Sequence, residues 1–224
     1  MKTTRQLRFA AKQMIVFDGD SLSSRRMAPN LDTWPFLQLM NWDVTWGRVL
    51  GQLLFCWRPE LALRFRDAAI GGSTCRDMLA RMDRTVLPHK PAWVIATVGG
   101  NDARIGIPIN EFRNTLATYA RRLRETSGGT LVFLGGLRPM PACSTERLAQ
   151  QRVRLKYQTA LRQLARTQPN VAYLDVGTGM ARKAEVLYVQ HPLHTVYSDG
   201  GHYNVLGATL IAGEILAGFG VVNV

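Results

Sequence analysis

Cysteine is scarce in this chain: among 224 residues only Cys56, Cys75 and Cys143 carry thiols, an odd number that cannot all pair. None of them stands in a Cys-x-x-Cys or mixed Cys/His cluster of zinc-ligand spacing, so neither a disulfide scaffold nor a metal site is expected. Long apolar runs are missing as well. No stretch approaches the ~20 apolar residues of a membrane-spanning helix, and the basic start, MKTTRQLRFAAKQM, lacks the apolar run of about seven that a signal peptide carries. Cytoplasmic residence is therefore the expectation. Repeats, linkers and low-complexity tracts are also absent from the sequence, which argues against arrays and disorder. One domain over 1–224 is expected, with residues 1–12 as a basic extension.

Acidic residues are few. Sixteen Asp and Glu face 28 Lys and Arg, for a net charge of +12 and a pI near 10.4. A surface of that sign attracts polyanions such as nucleic acid, anionic lipid or acidic polysaccharide. The densest basic groups, however, are Arg121, Arg122 and Arg124, then Arg147, Arg152, Arg154 and Lys156, all on expected amphipathic helices. There a charged face is satisfied by solvent, so no specific nucleic-acid partner is expected.

What remains is an ordinary globular composition arranged as alternating short apolar runs and helical patterns. Residues 14–18, 61–70, 92–98, 130–137 and 171–176 read as buried strands closed by glycine or polar turns. Segments 34–41, 45–56, 74–86, 109–126, 144–167 and about 204–217 read as helices. Strand and helix in alternation imply an α/β fold, a three-layer α/β/α sandwich around a five-stranded, mainly parallel sheet. Ligands of such sheets sit beyond the C-terminal strand ends.

Four polar clusters fall at those ends: Gly19-Asp20-Ser21-Leu22-Ser23, Ile70-Gly71-Gly72-Ser73-Thr74, Gly99-Gly100-Asn101-Asp102, and Ser198 to Asn204 before the last helix. A serine hydroxyl attacks well only when a histidine takes its proton, and the imidazole works best when a carboxylate fixes its tautomer. Ser21, His202 and Asp199 are of the right types. The oxyanion that follows needs fixed donors, for which a glycine N–H at a tight turn and an asparagine amide are suited, hence Gly72 and Asn101.

These blocks, in this order, resemble the GDSL, or SGNH, hydrolase family (GDSL-type esterases and lipases). GDSLS places the nucleophile on Ser21, whose own backbone N–H would be a further oxyanion donor. Gly72 with Thr74 matches the second block, GGND places the third on Asn101, and D-x-x-H places acid and base on Asp199 and His202. The resemblance covers about residues 14–217 and implies the flavodoxin-like SGNH-hydrolase fold. The implied activity is a serine esterase that cleaves carboxylic esters through an acyl-enzyme without a cofactor. Two positions depart from the pattern: Tyr203 follows the histidine where proline is common, and Asp67 replaces an asparagine before the second block.

Asp20, Arg104, Arg138 and Tyr197 sit in loops that should ring the site and are candidate contacts to a small-molecule ester. Trp34, Trp42 and Trp46 could form a stacking platform, although core packing is the commoner use. Cys75, at a helix start, is read as a small buried residue rather than a nucleophile. Gly-Asp-Ser-Leu alone would be a turn, and Gly99 to Asp102 alone a turn with a cap. Short-chain or acetyl esters, including acetylated carbohydrate, are favoured because no lid-like apolar insertion is evident. A thioesterase or lysophospholipase of the same family is the alternative, and a non-catalytic polyanion-binding module on this fold is a second. Oligomeric state is not legible.

Overall fold

The structure, a computed structural model, describes residues 7–23, 45–137, 145–190, 195–198 and 201–221, with the backbone alone for 145–150. Five strands form one sheet in the order β2-β1-β3-β4-β5. They are β1 (Met14–Gly19), β2 (Arg64–Asp67), β3 (Trp93–Thr97), β4 (Thr130–Leu134) and β5 (Val171–Leu174). Every pairing is parallel, with Phe17 opposite Asp67 on one side and Ile95 on the other. The described helices are α1 (Trp46–Trp57), α2 (Cys75–Thr85), α3 (Gly100–Ile105), α4 (Ile109–Ser127), α5 (Thr145–Thr167), α6 (Val176–Gln190) and α7 (Val205–Gly218).

The two faces of the sheet follow from the two-residue period of a strand. Val16, Val94, Ala96, Leu131 and Phe133 point to a core shared with Met78 and Met82 of α2, Leu116 and Leu123 of α4 and Leu161 of α5. Their neighbours Ile15, Phe17, Ile95, Val132 and Leu134 point the other way, onto Trp46, Leu50 and Leu54 of α1, Met180 of α6 and Ile211 and Ile215 of α7. Strands buried on both faces carry no polar alternation, which is why MIVFD and WVIAT read as continuous apolar runs. The strand order reverses direction between β1 and β3, so a crevice opens at their C-terminal ends. Among the described residues, no helix is long and apolar enough to cross a membrane.

Several elements differ from the reading of the sequence. Only 64–67 of the expected strand 61–70 pair as β2: Pro59–Leu61 form a 3₁₀ turn, and Ala62 closes it in the left-handed region. Helix α3 begins where a turn was expected. Helix α6 was not among the expected helices, and it contains Gly177 and Gly179, which are poor helix formers. Their reason is close packing: a Cβ on Gly177 would come 2.0 Å from the Gly136 backbone, and one on Gly179 would come 1.9 Å from Glu214 Oε2. Within the expected basic extension 1–12, Leu7 is buried and Phe9 stacks on Phe219 at 4.0 Å between centroids. The expected helix 34–41, with Trp34 and Trp42, lies outside the described residues.

Candidate active site

Strand β1 ends on Gly19 at φ +120°, and a Cβ there would meet Thr97 O at 2.1 Å, so glycine alone lets β1 run this close to β3. The chain then turns. The Ser23 N–H donates to Asp20 O (3.0 Å), while Asp20 Oδ1 accepts from Leu22 N–H (3.0 Å) and the Thr97 hydroxyl (2.8 Å). With the Thr97 proton spent on that carboxylate, Ser23 donates to Thr97 Oγ1 at 2.7 Å. Asp20 is buried, and burial pushes its carboxyl above the usual range. It was a candidate substrate contact, but its carboxylate is turned inward and shapes the turn, as Asp does two residues before a backbone N–H. The result is a half-buried Ser21 on the rim of the sheet.

His202 reaches this rim from the loop before α7. Its Nε2 lies 2.9 Å from Ser21 Oγ, across 181 residues of sequence. The loop is braced at several points. Asn204 caps α7 by accepting from Gly207 N–H (3.0 Å), and its amide donates to Thr195 O (2.6 Å). Ser198 N–H donates to His202 O (3.0 Å), and Tyr197 and Tyr203 pair as an antiparallel bridge with rings stacked at 5.3 Å. Tyr203, which stands where the family commonly has proline, thus braces the loop. Asp199 and Arg138 lie outside the described residues.

Gly72 and Asn101 flank the same crevice. Ser73 N–H donates to Ile70 O at 3.2 Å, closing a four-residue turn whose third residue, Gly72, has φ +79°. That is the position a type II turn reserves for glycine. Because Ser73 makes the closing bond, the Gly72 N–H is not used in it. Asn101 sits in the first turn of α3, half-buried, and its amide donates to Ser73 O at 3.0 Å. The cap of α3 falls elsewhere: Gly99 is the N-cap residue at φ +105°, and the Asp102 carboxylate accepts from Gly99 N–H (3.1 Å) and from Cys75 N–H (2.9 Å). One buried carboxylate thereby joins the start of α3 to the start of α2, and burial raises it above the ordinary aspartate range.

The remaining candidates separate. Arg104 is exposed on α3, and Tyr197 is half-buried beside Tyr203. Asp67, on the edge strand, caps its own turn by accepting from Ala69 N–H at 3.0 Å. Trp46 is fully buried against Phe17, so it is core and no platform. Cys75 is buried, and burial together with the nearby Asp102 carboxylate pushes its thiol far above the range of a nucleophilic cysteine. Three buried polar residues that support the site, Ser73, Arg81 and Thr97, were not singled out from sequence. Arg81 did carry a signal, since it interrupts the apolar stripe of Met78 and Met82 on α2.

A buried or half-buried serine, imidazole, glycine turn and amide at one strand edge can carry out acyl transfer by a serine nucleophile. Comparison with known proteins agrees. The model of the GDSL-like Lipase/Acylhydrolase family matches residues 18–210. The acetylxylan esterase of Geobacillus stearothermophilus is 26% identical over 220 residues, spanning 96% of this chain and 97% of that enzyme. The thioesterase 1/protease 1/lysophospholipase L1 of Escherichia coli is 28% identical over 126 residues, 56% of this chain and 52% of that protein. Among solved structures, the Geobacillus stearothermophilus acetylxylan esterase Axe2 superposes with a TM-score of 0.70 at 18% identity, covering 96% of this chain and 97% of that one. LAE5, an alpha/beta hydrolase from the metagenome of Lake Arreo, gives 0.72 at 24% identity, covering 96% and 99%. The fold, the ordered blocks and the family match lead to one conclusion: the chain belongs to the GDSL-like lipase/acylhydrolase family and is a carboxylic-ester hydrolase.

Proposed function

We propose that this chain removes short acyl groups, acetyl foremost, from carbohydrate or other small alcohol esters, with Ser21 as nucleophile and His202 as base. The observation that carries the reading is the 2.9 Å contact between Ser21 Oγ and His202 Nε2 at the mouth of the β1/β3 crevice. In the reaction His202 takes the Ser21 proton as Oγ bonds to the acyl carbon. Negative charge on the carbonyl oxygen is met by Ser21 N–H, Gly72 N–H and the Asn101 amide. The tetrahedral intermediate collapses as His202 returns the proton to the departing alcohol oxygen, and water, activated by the same imidazole, then releases the acid. Asp199, three residues before His202, would hold the imidazole tautomer. In support, catalytic mutants of Axe2 carry alanine for a serine in one case and for an aspartate in another. Tyr197 and Arg104 are the candidate contacts to the alcohol portion.

The acetyl preference rests on the acetylxylan esterase that matches nearly the whole chain, whereas the thioesterase matches about half of it. Against a purely polyanion-binding module, part of the basic surface is internally paired: Arg121 bonds Glu125 (2.9 Å), Arg122 bonds Asp83 and Arg76 bonds Glu111. A series of p-nitrophenyl esters from acetate to palmitate, with acetylated xylo-oligosaccharides and palmitoyl-coenzyme A alongside, tests the reading. The highest kcat/KM is expected on acetate or the acetylated sugar. A higher value on palmitate or the thioester overturns the short-acyl preference, and unchanged ester cleavage by Ser21→Ala overturns the nucleophile.

A further inference from the structure

Beneath the crevice lies a buried guanidinium that the reaction scheme above does not use. Arg81, on α2, is buried with only 6% of its surface exposed. Taking a guanidinium out of water is costly unless ion pairing and hydrogen bonds offset it, so its partners are informative. One nitrogen, Nη2, pairs with Asp18 Oδ1 and also donates to Gly19 O at 3.0 Å. The other, Nη1, donates to Ser73 Oγ at 2.8 Å. Asp18 is wholly buried and receives two further bonds, from Gly19 N–H at 2.7 Å and from the Tyr119 hydroxyl at 2.8 Å.

The positions of these acceptors matter more than their number. Gly19 is the last residue of β1, two before Ser21. Ser73 directly follows Gly72, and the carbonyl of that same Ser73 holds the Asn101 amide. A single planar fork therefore spans the two backbone turns that would supply N–H donors and, through Ser73, reaches the third donor. A fully buried charge whose partner Asp18 neutralises it contributes little field of its own to a developing oxyanion. What it contributes is fixed spacing, which the rigid guanidinium fork supplies and a flexible ammonium does not. The Tyr119 hydroxyl bonds the other oxygen of that carboxylate, Oδ2, whereas the Arg81 fork meets Oδ1.

We propose that Arg81 is a positioning residue of the oxyanion hole, setting the distance between the Ser21 and Gly72 turns and, through Ser73, the orientation of the Asn101 amide. The proposal rests on the reading of Gly72 and Asn101 as oxyanion donors. The test uses the full chain with p-nitrophenyl acetate. Arg81→Lys keeps a charge for Asp18 but loses the fork, and Ser73→Ala removes the Oγ acceptor while leaving the ion pair and the carbonyl. Each should lower kcat by about 10- to 100-fold with KM nearly unchanged, since misplacement by a fraction of an ångström weakens the transition state and not substrate binding. Tyr119→Phe should lower the melting temperature and leave kcat as in wild type. In an Asn101→Ala background, Ser73→Ala should cost much less than it does alone, because the amide it aligns is gone.

Folded Arg81→Lys and Ser73→Ala with wild-type kcat overturn the proposal, while Asn101→Ala still impaired leaves the oxyanion reading standing. Wild-type kcat in Asn101→Ala overturns that reading instead. If Arg81→Lys does not fold, Ser73→Ala decides: a kcat loss that is much smaller in the Asn101→Ala background supports the positioning role. A full additive loss, or a matching kcat loss in Tyr119→Phe, shows a general structural effect and overturns it.

Discussion

Truncating Asn101 sets the proposed oxyanion role against a structural one because the two appear in different measurements. A side-chain amide has two N–H donors. One is held by Ser73 O at 3.0 Å, which fixes the plane of the amide and leaves the second for a substrate oxygen. The helix cap is not at stake, since Gly99 is the N-cap of α3 and its N–H donates to the Asp102 carboxylate, not to Asn101. In Asn101→Ala the folded state therefore loses one hydrogen bond and leaves the carbonyl of the buried Ser73 without this partner. That costs about 1–3 kcal/mol, partly offset by the better helix propensity of alanine. For a chain of this size each kcal/mol lowers Tm by about 2–4 °C, so the shift is a few degrees. On the proposed role the transition state loses more: removal of one oxyanion donor cuts kcat by about 10² to 10³, roughly 2.7–4 kcal/mol, with KM nearly constant. Steady-state kinetics on p-nitrophenyl acetate, normalised to folded protein by calorimetry, reads both numbers. Asn101→Asp sharpens the contrast, because a carboxylate neither donates to Ser73 O nor tolerates a developing negative charge. An Asn101→Asp enzyme of wild-type kcat would refute the reasoning, as would an Asn101→Ala enzyme that loses stability alone.

His202→Ala should lower kcat by about 10² to 10⁴ without unfolding the chain, because the Ser21 proton then loses its acceptor. Steady-state kinetics with circular dichroism on the variant checks this, and wild-type kcat in the folded variant speaks against the base. Gly19→Ala forces a Cβ to 2.1 Å from Thr97 O at φ +120° and should cost about 3 kcal/mol or more in urea unfolding. A loss below about 1 kcal/mol would show that the β1–β3 approach is less constrained than its geometry implies.

Much of this protein was legible before any coordinates. Continuous apolar runs such as MIVFD identified strands buried on both faces, and their alternation with amphipathic segments implied a parallel sheet. Ser21, Gly72 and Asn101 could be picked out because each lies in a turn-forming cluster past a strand, and His202 because it lies in one ahead of the last helix, where local chemistry marks a residue independently of its neighbours. Tertiary structure decided what depends on partners distant in the chain. The glycines of α6 argue for a break by propensity, yet Gly136 and Glu214, from other elements, are what require them. Asp20 sits beside Ser21 and reads as a substrate contact, but Thr97, on β3, draws its carboxylate inward. Arg81 lies 60 residues from Ser21, and no sequence pattern says that its fork meets Gly19 and Ser73 at once. Local preference is a property of a few consecutive residues, whereas the pairing of a buried polar group is set by whichever segments the fold brings within 3 Å of it.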